Sequence, residues 1–369
     1  MAQEPHRLTR TQARRIAVRA QLLATPRSTA APEVIRHLAA VQIDLTRHVA
    51  PSADLVLWSR IGSAFDPGEL DRGLADGTLI EIAGMIRPGE DIALYRAEME
   101  AWPEVPDFRP WMADLQEWIE VNDEGRRAIL AELEIGGPLA ARELPDLTLV
   151  PWRSSGWTND KSVMRLLESM ARRGEVAVAG RGQSGREWDL PERVYPDSPT
   201  IPLTEALAIR DRRRLAALGI ARAKVPEVFA DVSGAGAAGE PALIEGVKGA
   251  WRVDPAQLDV PFAGGTAVLS PIDRLLFDRR RTEEIFEFEY QLEMYKPEAK
   301  RRWGYWALPI LHGDKLIGKV DARNDRSAGV LRVAAIHADG RWSNAAREAV
   351  HAELGALARW LGVDLDLPG

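Results

Sequence analysis

The chain has 369 residues, 46% hydrophobic and 28% charged, with no cysteine and a formal net charge of -7 at pH 7. That composition excludes disulfides, zinc ribbons and thiol nucleophiles, and it suits a globular protein of two or three domains. The acidic balance argues against a nucleic-acid binder only weakly, because a basic face can sit on an acidic body.

Along the chain, Leu8, Ile16, Ala20 and Leu23 predict a helix over 8–24, and Val34, Leu38 and Val41 a second one starting near Pro32. The run then enters Gln42-Ile43-Asp44. If residues 41–45 form a short strand, Ile43 faces the core and Gln42 and Asp44 share the opposite face. The same spacing also lets Asp44 cap the next segment through an Asx-turn to Thr46 or Arg47. "PGELDRGLADG" at 67–77 reads as a helix closed by Gly77, and "TLIEIAGMIRPG" as a hairpin about Ala83-Gly84. Helix, helix, short strand, helix and hairpin in succession make a winged-helix pattern.

The pattern recurs. "DEGRRAILAELEIGGPLAAREL" predicts two helices about a Gly-Gly-Pro turn. "NDKSVMRLLESMARRG" predicts a third, capped by Asn159 or Asp160, and "EVAVAGRGQSGREWDL" a hairpin. A further unit begins at "TIPLTEALAIRDRRRLAALGI". The expected division is a winged-helix domain over 1–120 carrying Gln42 and Asp44, a second over 121–200, and a third over 201–369. Gly180, Gly182 and Gly185, and again Gly234, Gly236 and Gly239, match G-x-G-x-x-G. Strand-like sequence follows each set where a dinucleotide site needs a helix, so both are expected to be loop tips.

The six histidines form no compact ligand set, and no P-loop or G-x-S-x-G occurs. No metal and no small-molecule cofactor is expected. The N-terminus lacks the apolar run of a signal peptide and no window approaches a membrane span, so a cytoplasmic protein is expected. The basic residues cluster: Arg279, Arg280 and Arg281 in "DRRR", and Lys300, Arg301 and Arg302 in "KPEAKRRW". Arginine suits bidentate phosphate contacts, and solvated faces with local ion pairs remain the alternative. "YWALPILHGDKLIGKVDAR" predicts a hairpin with His312, Gly313, Asp314 and Lys315 at its tip. That tip could probe a nucleic-acid groove or simply cover a sheet edge.

The block "LSPIDRLLFDRRRTEEIFEFEYQLEMYKPEAKRRWGYWALPILHGDKLIGKVDAR", with "VQID...LVLWSRIG" and "DLPERVYP", resembles the crosslink-repair DNA glycosylases of the YcaQ/AlkZ-like family. The resemblance runs over about residues 10–360. It implies an α+β, helix-rich fold of three tandem winged-helix domains in a concave, DNA-embracing shape. It also implies a catalytic Gln-apolar-Gln/Asp motif, here Gln42, Ile43 and Asp44 in the Asp form of the YcaQ-like branch, and a DNA-probing hairpin at His312 to Lys315. Relatives often carry an aromatic and a His after the first recognition helix. This chain reads "IEIAGMIRP" there, so that contact is not carried over.

The implied activity is monofunctional DNA glycosylase chemistry on N7-alkylated purines, including bulky adducts and interstrand crosslinks. The implied partner is damaged duplex DNA, bound by a monomer. An N7-alkylated purine is already cationic and leaves without protonation, so one carboxylate and a held water suffice. Arg181 and Arg186, on the expected wing, are further candidates for DNA contact. The alternative is a non-catalytic winged-helix regulator, which needs no Gln42/Asp44 pair.

Overall fold

The computed structural model describes residues 4–44, 46–105, 109–152, 161–225 and 233–368. The elements follow from local chemistry. Strand β1 (His6–Leu8) leads into helix α1 (Arg10–Ala20), opened by a reciprocal cap in which Thr9 Oγ1 accepts from Gln12 N–H and Gln12 Oε1 from Thr9 N–H. Helix α2 (Ala31–Leu38) starts on Pro32 and stops where Ala39 turns left-handed at φ 60°. Strand β2 is only Val41–Gln42, shorter than the 41–45 expected, and Ile43 is half-buried rather than part of the core.

Helix α3 (Ser52–Ile61) buries nine of its ten residues. It therefore shows no amphipathic stripe, and periodicity does not find it. Helix α4 (Gly68–Ala75) and the hairpin β3 (Leu79–Ile82) and β4 (Met85–Pro88) agree with expectation; Ala83 and Gly84 carry positive φ values of 51° and 77° at the turn. Helices α5 (Arg96–Ala101), α6 (Pro110–Val121) and α7 (Asp123–Gly136) follow. After the Gly-Gly-Pro turn comes strand β5 (Leu139–Ala140) and a short 3-10 turn, not the second helix expected. Helix α8 (Ser162–Arg172) is present, while its expected caps Asn159 and Asp160 lie outside the described residues.

Strands β6 (Ala177–Gly182) and β7 (Gly185–Asp189) form a hairpin closed at Gly182 and Gly185, so the first glycine set is a loop tip. The second set runs straight into a strand, Glu240–Ile244. The chain continues through α9 (Pro191–Val194), α10 (Leu203–Leu218), β8 (Ile220–Ala221), β9 (Glu240–Ile244), β10 (Trp251–Val253) and β11 (Thr266–Val268). It ends with α11 (Arg274–Phe277), α12 (Arg279–Phe286), β12 (Leu308–His312), β13 (Lys315–Asp325), β14 (Val330–Ala338), α13 (Asn344–Leu361) and β15 (Asp364–Asp366).

These elements gather into two compact units, Met1–Pro67 with Arg210–Gly369, and Gly68–Ile209. The boundaries expected at 120 and 200 do not coincide with them. The reason lies in strand pairing: β1 runs parallel to β9, which stitches the start of the chain into its C-terminal half. The first unit holds two sheets, ordered β1-β9-β10-β8 and β11-β12-β13-β14-β15. Its core joins Ile16, Ile244, Trp251, Leu275, Ile285, Phe288 and Leu311. Each such side chain contributes about 1.5–3 kcal/mol when fully buried. In the second unit the strands run β4-β3-β6-β7-β5, with a core of Leu115, Ile129, Leu133, Leu166, Met170 and Trp188. Among the described residues no helix is long and apolar enough to cross a membrane.

Candidate active site

Gln42 ends β2, and Asp44 lies two residues on, half-buried. Thr46 N–H donates to Asp44 Oδ1 at 2.7 Å, so the Asx-turn forms. It pins the carboxylate by one oxygen. The other oxygen has no protein partner among the described residues. Gln42 Oε1 is buried and accepts no hydrogen bond from the described residues. A buried acceptor left alone costs about 1–3 kcal/mol, and native proteins keep few of them outside working sites. The two polar groups read from the sequence are thus an ionisable acceptor and an uncommitted amide on one short segment.

That segment continues to His48, which sequence reasoning passed over. Asn324 N–H donates to His48 O at 2.9 Å, and Asn324 Nδ2 to Val49 O at 3.2 Å. Asn324 Oδ1 is a second buried acceptor without a protein partner. The turn between β13 and β14, with exposed Arg326, therefore sits beside the Gln42 segment. Nothing in the sequence could signal this, because 276 positions separate Asn324 from His48. Burial, with Arg323 and Arg301 nearby, lowers the His48 imidazole below its ordinary pKa.

The other candidate residues fall into different settings. At the β12–β13 tip, His312 Nδ1 meets Thr266 Oγ1 at 2.8 Å and Gly313 N–H donates to Gly265 O at 2.8 Å. Asp314 pairs with Arg14 at 3.1 Å. Lys315 alone is exposed. The tip is docked on α1 and β11, so a free-standing probe is not what these four residues form.

In "DRRR", Arg281 is 2% exposed and donates to the carbonyls of Ile220 and Leu218 at 3.0 and 2.9 Å. Burial pushes it down to about 10. It cannot reach a phosphate without unfolding its surroundings. Arg279 donates to Leu276 O and Pro271 O and lies over the Tyr290 ring, which also makes it part of the packing. Arg280 is exposed and pairs with Glu284 at 3.0 Å. Three consecutive arginines on a helix point in different directions, so they make no common face.

Lys300 is exposed. Arg302 lies over Trp303 and pairs with Glu289 at 3.0 Å, both side chains mostly in solvent. Arg301 donates through Nε to Lys296 O at 3.0 Å and makes no close ion pair among the described residues, with Asp321 as a through-space carboxylate neighbour. In the second unit, Arg181 and Arg186 both bind the buried Glu81 carboxylate, at 2.7 and 2.8 Å. Their charge is largely spent on satisfying that acid. Among the described residues no three His, Asp or Glu groups gather as a metal site.

Comparison with known proteins adds two findings. A family model described as "DNA glycosylase AlkZ-like" matches residues 35–360. Among solved structures, the chain is similar to the Streptomyces sahachiroi DNA glycosylase AlkZ, with a TM-score of 0.59 and 17% identity over 98% of this chain and 99% of that one. At that identity the likeness concerns the fold.

Proposed function

Because the chain belongs to the AlkZ-like DNA glycosylase family, we propose that it hydrolyses the N-glycosidic bond of N7-alkylated purines in duplex DNA, bulky adducts and interstrand crosslinks included. The observation that carries this reading is the Gln42/Asp44 pair: a buried amide oxygen without a protein partner beside a carboxylate fixed by one oxygen only. In this reading Gln42 Oε1 accepts a hydrogen bond from the attacking water, aiming its lone pair at the sugar, and Asp44 takes the one proton the water gives up as its oxygen bonds to C1'. The C1'–N9 bond breaks and its electrons neutralise the positive charge of the departing base. The sugar cation is stabilised by the Asp44 anion until the water adds to it. No second acid is needed to protonate the base, which supports a cationic lesion over an undamaged purine.

Crosslinked bases are tethered to the opposite strand and cannot swing fully out of the stack. A half-buried carboxylate on a short segment suits them better than one at the bottom of a deep pocket. No lysine lies near Gln42 in sequence to form a Schiff base, which supports a monofunctional enzyme.

The test is direct. Incubation with duplex DNA carrying N7-methylguanine should release the base and leave alkali-labile abasic sites. Tight binding with no base release would favour the non-catalytic DNA-binding reading instead.

A further inference from the structure

The first unit contains a cleft of about 680 Å³ whose lining is cationic and aromatic. Arg323 on β13 and Arg332 on β14 enter it from the sheet, and Arg301 and Tyr305 from the loop before β12. His48 enters from the segment that carries Gln42 and Asp44. Three features distinguish it from an ordinary solvated surface.

The first is the state of its guanidiniums. Arg301 is fixed by its bond to Lys296 O and lies over the Tyr305 ring, 5.0 Å from the centroid; among the described residues it makes no close ion pair, and Asp321 acts on it only through space. Arg323 pairs with Asp325 at 3.5 Å and Arg332 with Asp366 at 2.5 Å, both in half-exposed settings. Such pairs contribute little and exchange readily for a stronger anion. A phosphate is that anion, since the guanidinium fork matches two of its oxygens at once.

The second feature is the ring pair. His48 and Tyr305 lie 5.0 Å apart, tilted by 47°. Burial and the two arginines hold His48 below its ordinary pKa, so at neutral pH the ring is uncharged and offers a flat face. Asp321 and Glu298 also line the cleft, two carboxylates against the four guanidiniums of Arg301, Arg302, Arg323 and Arg332, so its balance stays cationic. The third feature is size. A cleft of this volume suits one small ligand.

We propose that this cleft is a nucleotide subsite: it holds one unpaired deoxynucleotide of the DNA strand, its phosphate on Arg301 with Arg323 and Arg332, and its base against Tyr305 and His48. The assignment rests on the DNA glycosylase reading and adds to it a place for a nucleotide outside the helix. Stacking on a side-chain ring is sequence-tolerant, so the subsite takes any base.

The experiment follows the His48 imidazole proton by NMR in the full-length protein during titration with dGMP, inorganic phosphate and deoxyguanosine. The His48 signal should move with dGMP, less with phosphate, and little with deoxyguanosine. Arg301→Ala and Arg332→Ala should each weaken dGMP binding about tenfold, the effect of one charge-assisted hydrogen bond. Tyr305→Ala should weaken dGMP about fivefold or more and leave phosphate binding unchanged.

A His48 signal unmoved by millimolar dGMP overturns the subsite. So does a response to phosphate equal to that for dGMP and indifferent to Tyr305→Ala. Base release from N7-methylguanine DNA, measured in parallel, keeps the two claims apart. Release without dGMP binding sinks the subsite alone. Binding without release sinks the glycosylase reading alone.

Discussion

Arg60 and Asp273 form a bidentate ion pair with both side chains fully buried, Arg60 Nη2 donating to Asp273 Oδ1 at 2.9 Å and Nη1 to Oδ2. Arg60 Nε also donates to Gln21 O, and Asp273 Oδ1 accepts Leu275 N–H to cap α11. Alongside, Ser52 Oγ and Ser270 Oγ meet at 2.6 Å. The two partners belong to "LVLWSRIG" and "LSPIDRLLF", segments 213 positions apart that each carry the family resemblance. Breaking one side of such a pair strands a charge in the core, at about 3–5 kcal/mol. Arg60→Ala and Asp273→Ala should each lose that much stability in urea denaturation. A loss under about 1 kcal/mol in both would show that water reaches the site.

Asp44→Asn keeps the Asx-turn, because the amide oxygen still accepts Thr46 N–H, and removes only the charge. Folding should be unchanged and base release should fall roughly 10²- to 10⁴-fold, the usual contribution of a positioned base. Gln42→Ala should slow the reaction less, since it removes a positioning group. Single-turnover rates within a few-fold of wild type for Asp44→Asn would remove Asp44 from the mechanism.

The arginine clusters should separate by burial. Arg302→Ala should weaken binding to damaged and undamaged duplex alike and flatten the log affinity against log salt slope by about one unit. Arg281→Ala should leave the slope as it is and destabilise the fold, because the carbonyls of Leu218 and Ile220 lose their donor. An unaltered slope for Arg302→Ala would assign that side chain to Glu289 rather than to phosphate.

Lys315→Ala should leave the melting temperature unchanged, since the side chain is exposed. His312→Ala should cost about 1 kcal/mol through the lost Thr266 bond. If Lys315 touches DNA, its removal slows excision; wild-type excision by Lys315→Ala would leave the β12–β13 tip a purely structural turn, and attention would pass to Arg326.

His48 gives a pH signature. Its folded pKa lies below the ordinary 6.5, so in the window between the two values the unfolded chain holds the proton more strongly. The stability from neutral His48 is present in full above pH 6.5 and is lost as pH falls through the folded value. Denaturation midpoints at pH 7.5 and pH 5.5 should therefore differ more in wild type than in His48→Asn. Equal differences would mean that Arg301, Arg323 and Tyr305 do not set the environment of His48.

Local chemistry and spacing were enough, from the sequence alone, to place the hairpins about Ala83-Gly84 and His312-Lys315 and the first two helices, expected over 8–24 and from Pro32 and found at Arg10–Ala20 and Ala31–Leu38. Each rests on neighbours in the chain: a turn that needs positive φ, or apolar residues at helical spacing. The alternation expected over 41–45 does not form, because the strand ends at Gln42 and Asp44 closes an Asx-turn. The sequence could not show α3, because a helix buried on all sides has no periodicity to read. It could not tell that Arg281 is spent on core carbonyls while Arg301, in an equally basic run, is not, since charge and spacing are alike in both. Nor could it bring Asn324 to His48, or Arg60 to Asp273. Those contacts are long-range, and only the closure of the chain, with His6 of β1 paired to Ala242 of β9, decides which polar groups meet.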